Sequence, residues 1–219
     1  MNKSGKRQIA TGTTLLVVFL VWTILIQFVD VQAIGPKGTK VGFATWNGWF
    51  HNLTGVHMSI YTITDWLGLV PIFICMVFGC FGAVQLVKRK HLFKVDYDII
   101  LLGIYYVIVI AMYLLFEMIP INYRPILIDG RLEASYPSST TLLVLSVMPT
   151  LMFQVRRRVK NTVLTKIIGF LVRIFSFGMV AGRLLSGVHW FTDIVGALIL
   201  SIGVFCFYEA AVLLCSKEN

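Results

Sequence analysis

The chain has 219 residues, of which 58% are hydrophobic and only 13% are charged, and its formal net charge is +9. Its mean hydropathy is +0.84. Soluble domains carry about 25% charged residues, so this composition excludes an ordinary soluble domain. Hydrophobic segments follow one another without a linker, which indicates a single membrane domain over residues 1–219.

Six segments are long and apolar enough to be transmembrane helices, because a bilayer core about 30 Å thick needs about 20 apolar residues. The first could be a signal peptide, but its apolar run is longer than a normal h-region and we expect it to be retained. The sequence therefore predicts an all-α polytopic protein, a bundle of six transmembrane helices. The predicted spans are residues 10–29, 66–87, 99–119, 138–155, 167–185 and 194–215.

Lys and Arg residues are concentrated at the N-terminus and in the loops that follow the second and fourth predicted spans. By the positive-inside rule these loops and both termini, including Lys217, are cytoplasmic. Attraction to anionic lipid headgroups explains the basic loops, so we expect the lipid bilayer and not nucleic acid as the partner. We expect the protein to be integral to a bacterial cytoplasmic membrane. The basic residues are Lys3, Lys6, Arg7, Lys88, Arg89, Lys90, Lys94, Arg156, Arg157, Arg158, Lys160 and Lys166.

The segment of residues 30–65, between the first two predicted spans, is rich in aromatic residues. Trp46, Trp49 and Tyr61 are typical of the membrane–water interface, which favours an amphipathic helix along the outer surface. This outer segment either covers the bundle or forms one wall of a lipid entrance.

Polar residues gather where the fifth predicted span ends and the sixth begins. Arg183 can bind two oxygens of a phosphoryl group through its planar guanidinium. If the last helix begins near His189, then His189 and Asp193 share a face, and the carboxylate can orient the imidazole for nucleophilic attack. The alternative is an ion pair between Arg183 and Asp193 beside an interfacial histidine.

A second polar group precedes the fourth predicted span. Pro137 suits the first turn of a helix, and Ser138, Ser139 and Thr140 follow it. Free N–H groups at a helix N-terminus form an anion site, although an ordinary Ser/Thr cap has the same pattern. Arg124 adds a cation at the same face. Together these groups are typical of a phosphoryl-transfer site.

These motifs resemble those of the type 2 phosphatidic acid phosphatases, the PAP2 superfamily, whose six-helix membrane enzymes share a catalytic core with vanadium haloperoxidases. The family's third motif is Ser-Arg, five residues, His, three residues, Asp. Arg183, His189 and Asp193 match it, with Gly182 where serine is usual.

The other two family motifs match in part. Pro-Ser-Gly-His corresponds to residues 137–140, with Thr140 in the place of the histidine. Lys, six residues, Arg-Pro corresponds to Arg124-Pro125, with Glu117 in the place of the lysine. Glu117 would repel a bound phosphate unless Arg131 or Arg124 paired with it.

The resemblance implies that His189 attacks phosphorus and forms a phosphohistidine, with Asp193 orienting it. It also implies that no metal or cofactor is needed. The phosphate oxygens would be held by Arg124, Arg183, Ser138 and Ser139.

The resemblance also implies that a general acid is missing at Thr140, whose hydroxyl is a poor acid near neutral pH. Three outcomes follow: slow catalysis, a phosphoanhydride whose leaving group needs no proton, or a replacement acid. His57 and His51 on the outer segment are the candidates for replacement.

Three functions are open at this point. The first is a lipid phosphatase or diphosphatase acting on a membrane lipid phosphate at the extracytoplasmic face. The second is a lipid-phosphate binding or transport protein on the same scaffold, which has lost the chemistry. The third is a structural membrane subunit, whose polar residues only hold helices together. The gathering of polar residues at one face favours the first two.

Overall fold

The structure is a computed structural model that describes residues 3–216. Within that range the chain folds into eight α-helices and no strand, which confirms the all-α prediction. The helices are α1 (Lys3–Phe28), α2 (Ala44–Thr54), α3 (Met58–Leu67), α4 (Leu69–Arg89), α5 (Tyr97–Met118), α6 (Ser139–Arg158), α7 (Thr162–Leu185) and α8 (Phe191–Cys215).

Five helical segments of the described chain are long and apolar enough to cross a membrane, and the protein is an integral membrane protein. They are α1, the α3–α4 pair (Met58–Arg89), α5, α7 and α8. The remaining predicted span, the fourth (residues 138–155), corresponds to α6, which does not reach the same hydropathy. Its Thr141, Ser146, Thr150 and Gln154 are buried, because α6 packs between α7, α8 and α4. Lys217 lies outside the described residues.

Helix α8 is the centre of the bundle and packs against α1 along much of its length. The two helices approach closely at Gly12, where a Cβ atom would lie 3.0 Å from the carbonyl oxygen of Gly203. Apolar residues at helical spacing on α8 form the core, and they include Ile194, Ala197, Leu200 and Val204. Burial of this stripe holds the ends of α5, α6 and α7 around α8.

The outer segment folds into α2 and α3, and α3 continues into α4 with only Gly68 between them. Helical structure therefore begins at Met58, earlier than the predicted start at residue 66. The segment docks on the turn between α7 and α8, where the His57 N–H donates to the Ser186 carbonyl at 2.9 Å. A Cβ atom on Gly187 would lie 2.1 Å from the Gly55 oxygen, so this approach requires glycine.

Candidate active site

His189 lies in the short turn between α7 and α8 and is 3% exposed. Helix α8 begins at Phe191, so His189 lies two residues before its first turn. Its Nδ1 atom lies 3.1 Å from the Ser135 carbonyl oxygen and 3.2 Å from Ser135 Oγ. Its Nε2 atom is buried without a partner among the described residues. A proton on Nδ1, donated to that carbonyl, would leave the Nε2 lone pair free.

Asp193 is fully buried in the first turn of α8. Its Oδ2 atom accepts a hydrogen bond from the Trp190 N–H at 2.8 Å and another from the Ser135 hydroxyl. The same oxygen lies 3.8 Å from His189 Nδ1, which is too long for a hydrogen bond. Asp193 therefore caps α8 and reaches the imidazole through Ser135, whereas the sequence predicted direct orientation.

Arg183 is 1% exposed and points from α7 towards α3 and α6. Its Nη2 atom donates to Thr140 Oγ1 at 2.5 Å and to Asp65 Oδ1 at 3.3 Å, and Nη1 donates to Thr64 Oγ1 at 3.4 Å. Its Nε atom has no partner within residues 3–216. Thr140, at the position of the expected acid, therefore holds Arg183 in place.

Arg124, in the loop after α5, is 8% exposed. Its Nε atom lies 3.1 Å from Glu133 Oε2 without hydrogen-bond alignment, so Nε and Nη1 are both unsatisfied in the described chain. The guanidinium carbons of Arg124 and Arg183 lie 5.8 Å and 5.0 Å from the centre of the same ring, that of Tyr61. Each of the two cations has one carboxylate nearby, and the guanidinium N–H groups that remain unsatisfied are able to bind a further anion.

The N-terminus of α6 adds backbone donors to this place. Ser138 is buried, and its hydroxyl donates to Thr141 Oγ1 at 3.0 Å without capping α6. Its own N–H donates to the Asp193 carbonyl at 3.2 Å, which ties α6 to α8. The first N–H groups of α6, beginning at Ser139, are left without a side-chain cap and can receive an anion.

The family model described as the PAP2 superfamily matches residues 87–214. The chain belongs to the PAP2 superfamily. No curated protein sequence matches it. Among solved structures, it is similar to the crystal structure of the first transmembrane PAP2 type phosphatidylglycerolphosphate phosphatase from Bacillus subtilis, with a TM-score of 0.59. That match has 14% sequence identity and covers 95% of this chain and 98% of the other, and it shows the fold.

Membership of the PAP2 superfamily supports a phosphoric ester hydrolase as the general class of this protein. The electrostatics of His189 agree with such an activity. Burial, followed by the positive charges of Arg124 and Arg183, lowers the pKa of His189 well below its ordinary value. The imidazole of this PAP2 protein is therefore neutral at physiological pH, the form in which a ring nitrogen can act as a nucleophile.

The two histidines proposed as replacement acids contact other groups. His57 is exposed, and its Nε2 atom lies 2.8 Å from the Thr54 carbonyl oxygen. His51 is half-buried and packs on Trp190, with ring centres 5.6 Å apart. Neither forms a hydrogen bond with Arg124, Arg183 or His189 in the part of the chain that the structure describes.

Glu117 forms no ion pair among residues 3–216, and Arg124 contacts Glu133 instead of it. Glu117 lines a narrow cleft between α5 and α6, together with Ser135 and Ser139. Among the described residues, no group of three or more His, Cys, Asp or Glu side chains is placed to hold a metal ion.

Sequence reasoning missed Ser135 and the contribution of α3. Tyr61, Thr64 and Asp65 are spaced three and four residues apart, so they share one helix face, and that spacing was a usable signal. Ser135 had no such signal, because it lies in an irregular loop and its partners are more than 50 residues away in sequence.

Proposed function

We propose that this PAP2 protein is a membrane lipid phosphatase or diphosphatase that hydrolyses a lipid phosphate ester or anhydride at the extracytoplasmic face, through a phosphohistidine at His189. One observation carries the proposal. Buried nitrogen atoms of His189, Arg124 and Arg183 are all unsatisfied among the described residues. A phosphoryl group placed between them would accept hydrogen bonds from both guanidiniums and meet the free lone pair of Nε2.

In the first step, His189 Nε2 attacks phosphorus while the bond from phosphorus to the leaving oxygen breaks. Arg124, Arg183 and the N-terminal N–H groups of α6 stabilise the charge on the equatorial oxygens. The imidazole becomes positively charged, and Asp193 stabilises that charge through Ser135. In the second step, water attacks the phosphohistidine and releases inorganic phosphate.

The leaving group decides how fast the first step is. The Thr140 hydroxyl accepts a hydrogen bond from Arg183 at 2.5 Å and is not an acid of suitable pKa. The leaving group of an anhydride is a phosphate anion, which needs no proton. The leaving group of an ester is an alkoxide, which must take its proton from water. Lack of general acid catalysis typically slows a reaction about 10²- to 10⁴-fold.

The test is phosphate release by the purified protein in detergent, in the presence of a chelator, from a panel of lipid phosphates and diphosphates. We expect His189→Ala to lower release by about 10⁴-fold or more, because the nucleophile is removed. His91→Ala is the matched control, since His91 is exposed and lies at the opposite end of α4. Release that survives His189→Ala unchanged would refute the proposal, as would no release from any lipid.

A second candidate function is lipid-phosphate binding or transport without turnover. The specific observation in its favour is that Thr140 is engaged with Arg183, while Glu117 adds a negative charge beside the site. It predicts that Arg124→Ala or Arg183→Ala weakens lipid-phosphate binding in a protein that releases no phosphate. Labelling with a ³²P-lipid phosphate, stopped by denaturation in detergent at alkaline pH, separates the two functions, because a phosphohistidine is stable in base and only the enzyme forms one at His189.

A further inference from the structure

Helix α3 of the outer segment packs closely on the helices that carry Arg183 and Thr140. A Cβ atom on Gly182, which stands where the third family motif has serine, would lie 2.7 Å from Thr64 Cγ2. A Cβ atom on Gly68, which joins α3 to α4, would lie 3.4 Å from Thr140 Cγ2. A side chain at position 182 would displace Thr64, whose hydroxyl is held by carbonyls of the preceding turn. Glycine at this position therefore brings α3 up to the buried arginines.

Three residues of α3 contact these arginines, and their spacing of three and four residues places them on one helix face. The Thr64 hydroxyl accepts a hydrogen bond from Arg183 Nη1 at 3.4 Å, and Asp65 Oδ1 accepts one from Nη2 at 3.3 Å. The third residue, Tyr61, is half-buried. Its ring centre lies 5.0 Å from the guanidinium carbon of Arg183 and 5.8 Å from that of Arg124. Tyr61 therefore contacts two arginines that come from different parts of the chain, α7 and the loop after α5.

An aromatic ring stabilises a cation differently from a carboxylate. The ring attracts the guanidinium through its negatively polarised face, without pairing with the in-plane N–H groups. A carboxylate pairs with those N–H groups and competes for them with a phosphate. The unsatisfied nitrogens at this place are Nε and Nη1 of Arg124 and Nε of Arg183. Contact with Tyr61 leaves their N–H groups available to bind an anion.

The two guanidiniums carry like charges on long side chains, so they would separate if nothing held them. Ordering a mobile side chain when a ligand binds typically costs about two- to tenfold in affinity, and a residue that fixes the side chain beforehand avoids this cost. A single ring in contact with both guanidiniums keeps them together before the phosphate arrives.

We propose that Tyr61 is a positioning residue for phosphate binding, whose ring holds Arg124 and Arg183 while leaving their unsatisfied N–H groups free. The inference rests on the proposed phosphatase function, in which these arginines bind the phosphoryl group. It assigns part of the site to the outer segment, in addition to the residues of the three motifs. Both contacts use the ring, so the hydroxyl of Tyr61 is not required.

The first experiment measures binding of inorganic phosphate from the rise in thermal midpoint of the full chain in detergent, which does not depend on turnover. We expect Tyr61→Leu to raise the phosphate Kd by about tenfold or more, because both arginines lose their common contact. Tyr61→Phe keeps the ring and should stay within about twofold of the wild type. Tyr97→Leu is the matched control and should leave the phosphate Kd unchanged. The Tyr97 ring lies 5.9 Å from the guanidinium carbon of Arg157, at the opposite end of the bundle.

Two further comparisons separate positioning from a structural role. Replacement of Tyr61 by a ring-fluorinated phenylalanine keeps the size of the ring but weakens its attraction for cations. We expect a phosphate Kd between those of Tyr61→Phe and Tyr61→Leu, and this variant tests the inference even if Tyr61→Leu does not fold. In an Arg124→Gln background, Tyr61→Leu should weaken phosphate binding less than in the wild type, since residues that act together are not additive.

Three results would overturn the inference: no phosphate-dependent rise of the wild-type midpoint, the same phosphate Kd in Tyr61→Leu as in the wild type, or equal losses in Tyr61→Phe and Tyr61→Leu. The phosphatase function is scored separately by the release panel. Release that depends on His189, together with any of these three results, would leave the phosphatase standing and overturn the inference alone. Phosphate binding with the expected order of variants, but no release from any lipid, would overturn the phosphatase and support the role of Tyr61.

Discussion

The protein has an arginine cluster at each end of its bundle, and the two differ in how their guanidiniums are satisfied. At the end where α4, α5 and α6 meet, Arg158 donates to both oxygens of Asp98, at 2.8 and 2.9 Å, and also to Gln154. At the other end, Arg124 and Arg183 keep unsatisfied N–H groups although both are more deeply buried. Arginines whose N–H groups are bound to carboxylates stabilise the fold, whereas buried arginines with unsatisfied N–H groups are able to bind an anion.

The largest difference between the two clusters is expected when one unsatisfied guanidinium is removed. Arg183→Gln eliminates a charge that would stabilise the transferring phosphoryl group, and removal of one such donor typically costs about 10²- to 10³-fold in kcat. Phosphate release and the thermal midpoint are measured together. We expect activity to collapse while the midpoint falls little or rises, since a buried, partly unpaired cation is lost. A midpoint that collapses with activity would make Arg183 structural.

The arginine cluster at the other end, which we call the saturated cluster, consists of Arg157 and Arg158 with Asp96 and Asp98. Its variants should respond in the opposite way. Asp98 is 5% exposed at its side chain and pairs with both Arg157 and Arg158. Asp98→Asn leaves these cations without their shared carboxylate and should destabilise the fold by about 2–4 kcal/mol, less than a fully buried pair because the arginines are partly exposed. Activity per folded molecule should be unchanged. Denaturation in detergent and single-turnover assays check the two parts, and a selective loss of activity would contradict the assignment.

The helices were predictable from sequence because long apolar runs leave few alternatives in a membrane. The predicted span of 99–119 became Tyr97–Met118, for example, and 194–215 became Phe191–Cys215. Helix α6 was harder, since its Thr150 and Gln154 are satisfied by tyrosines of α5 and α8. Such polar residues lower the apparent hydropathy of a helix that is enclosed by its neighbours.

The motif positions predicted which residues meet at one end, and the charges of Arg124 and Arg183 both act on His189. The motifs did not predict the contacts that connect these residues. Asp193 reaches His189 through Ser135, and the two arginines share Tyr61, because loop conformation and helix docking bring together residues distant in sequence. No hydrophobic periodicity in the sequence predicts these contacts.

A substitution of Thr140 tests whether this residue positions Arg183 or donates a proton. Thr140→Val keeps the shape but removes the acceptor for Arg183 Nη2. Hydrogen bonds to charged groups contribute about 1.5–3 kcal/mol, so we expect KM to rise about tenfold or more with little change in kcat. Esters and anhydrides should be affected alike. A large fall in kcat confined to ester substrates, whose leaving group needs a proton, would instead show that Thr140 donates the proton.

The smallest expected effect is a shift in the acid limb of the pH profile. In the proposed mechanism neutral His189 attacks and the protonated form does not, so activity should be lost as pH falls through the pKa of His189. Burial and the two arginines lower that pKa, which places the limb below pH 6.5, the ordinary value for histidine. Arg124→Gln removes one positive charge and should move the limb upwards in kcat/KM. The substrate phosphate titrates in both proteins alike, so the difference between the two profiles reports on the protein.

The saturated cluster provides the internal control for that measurement. Burial alone would raise the pKa of Asp96, but hydrogen bonds from Arg89 and Gln85 outweigh it and lower the pKa below its ordinary value of 3.8. Its contribution to stability is therefore present above pH 3.8 and is lost only as pH falls through the lower, folded-state pKa. Asp96 therefore does not titrate between pH 5 and 6.5, and the gradual fall of the thermal midpoint expected there comes from His189, which binds a proton when unfolded but not when folded. A midpoint that falls to the assay temperature in this range would mean that the acid limb reports unfolding and not the titration of His189.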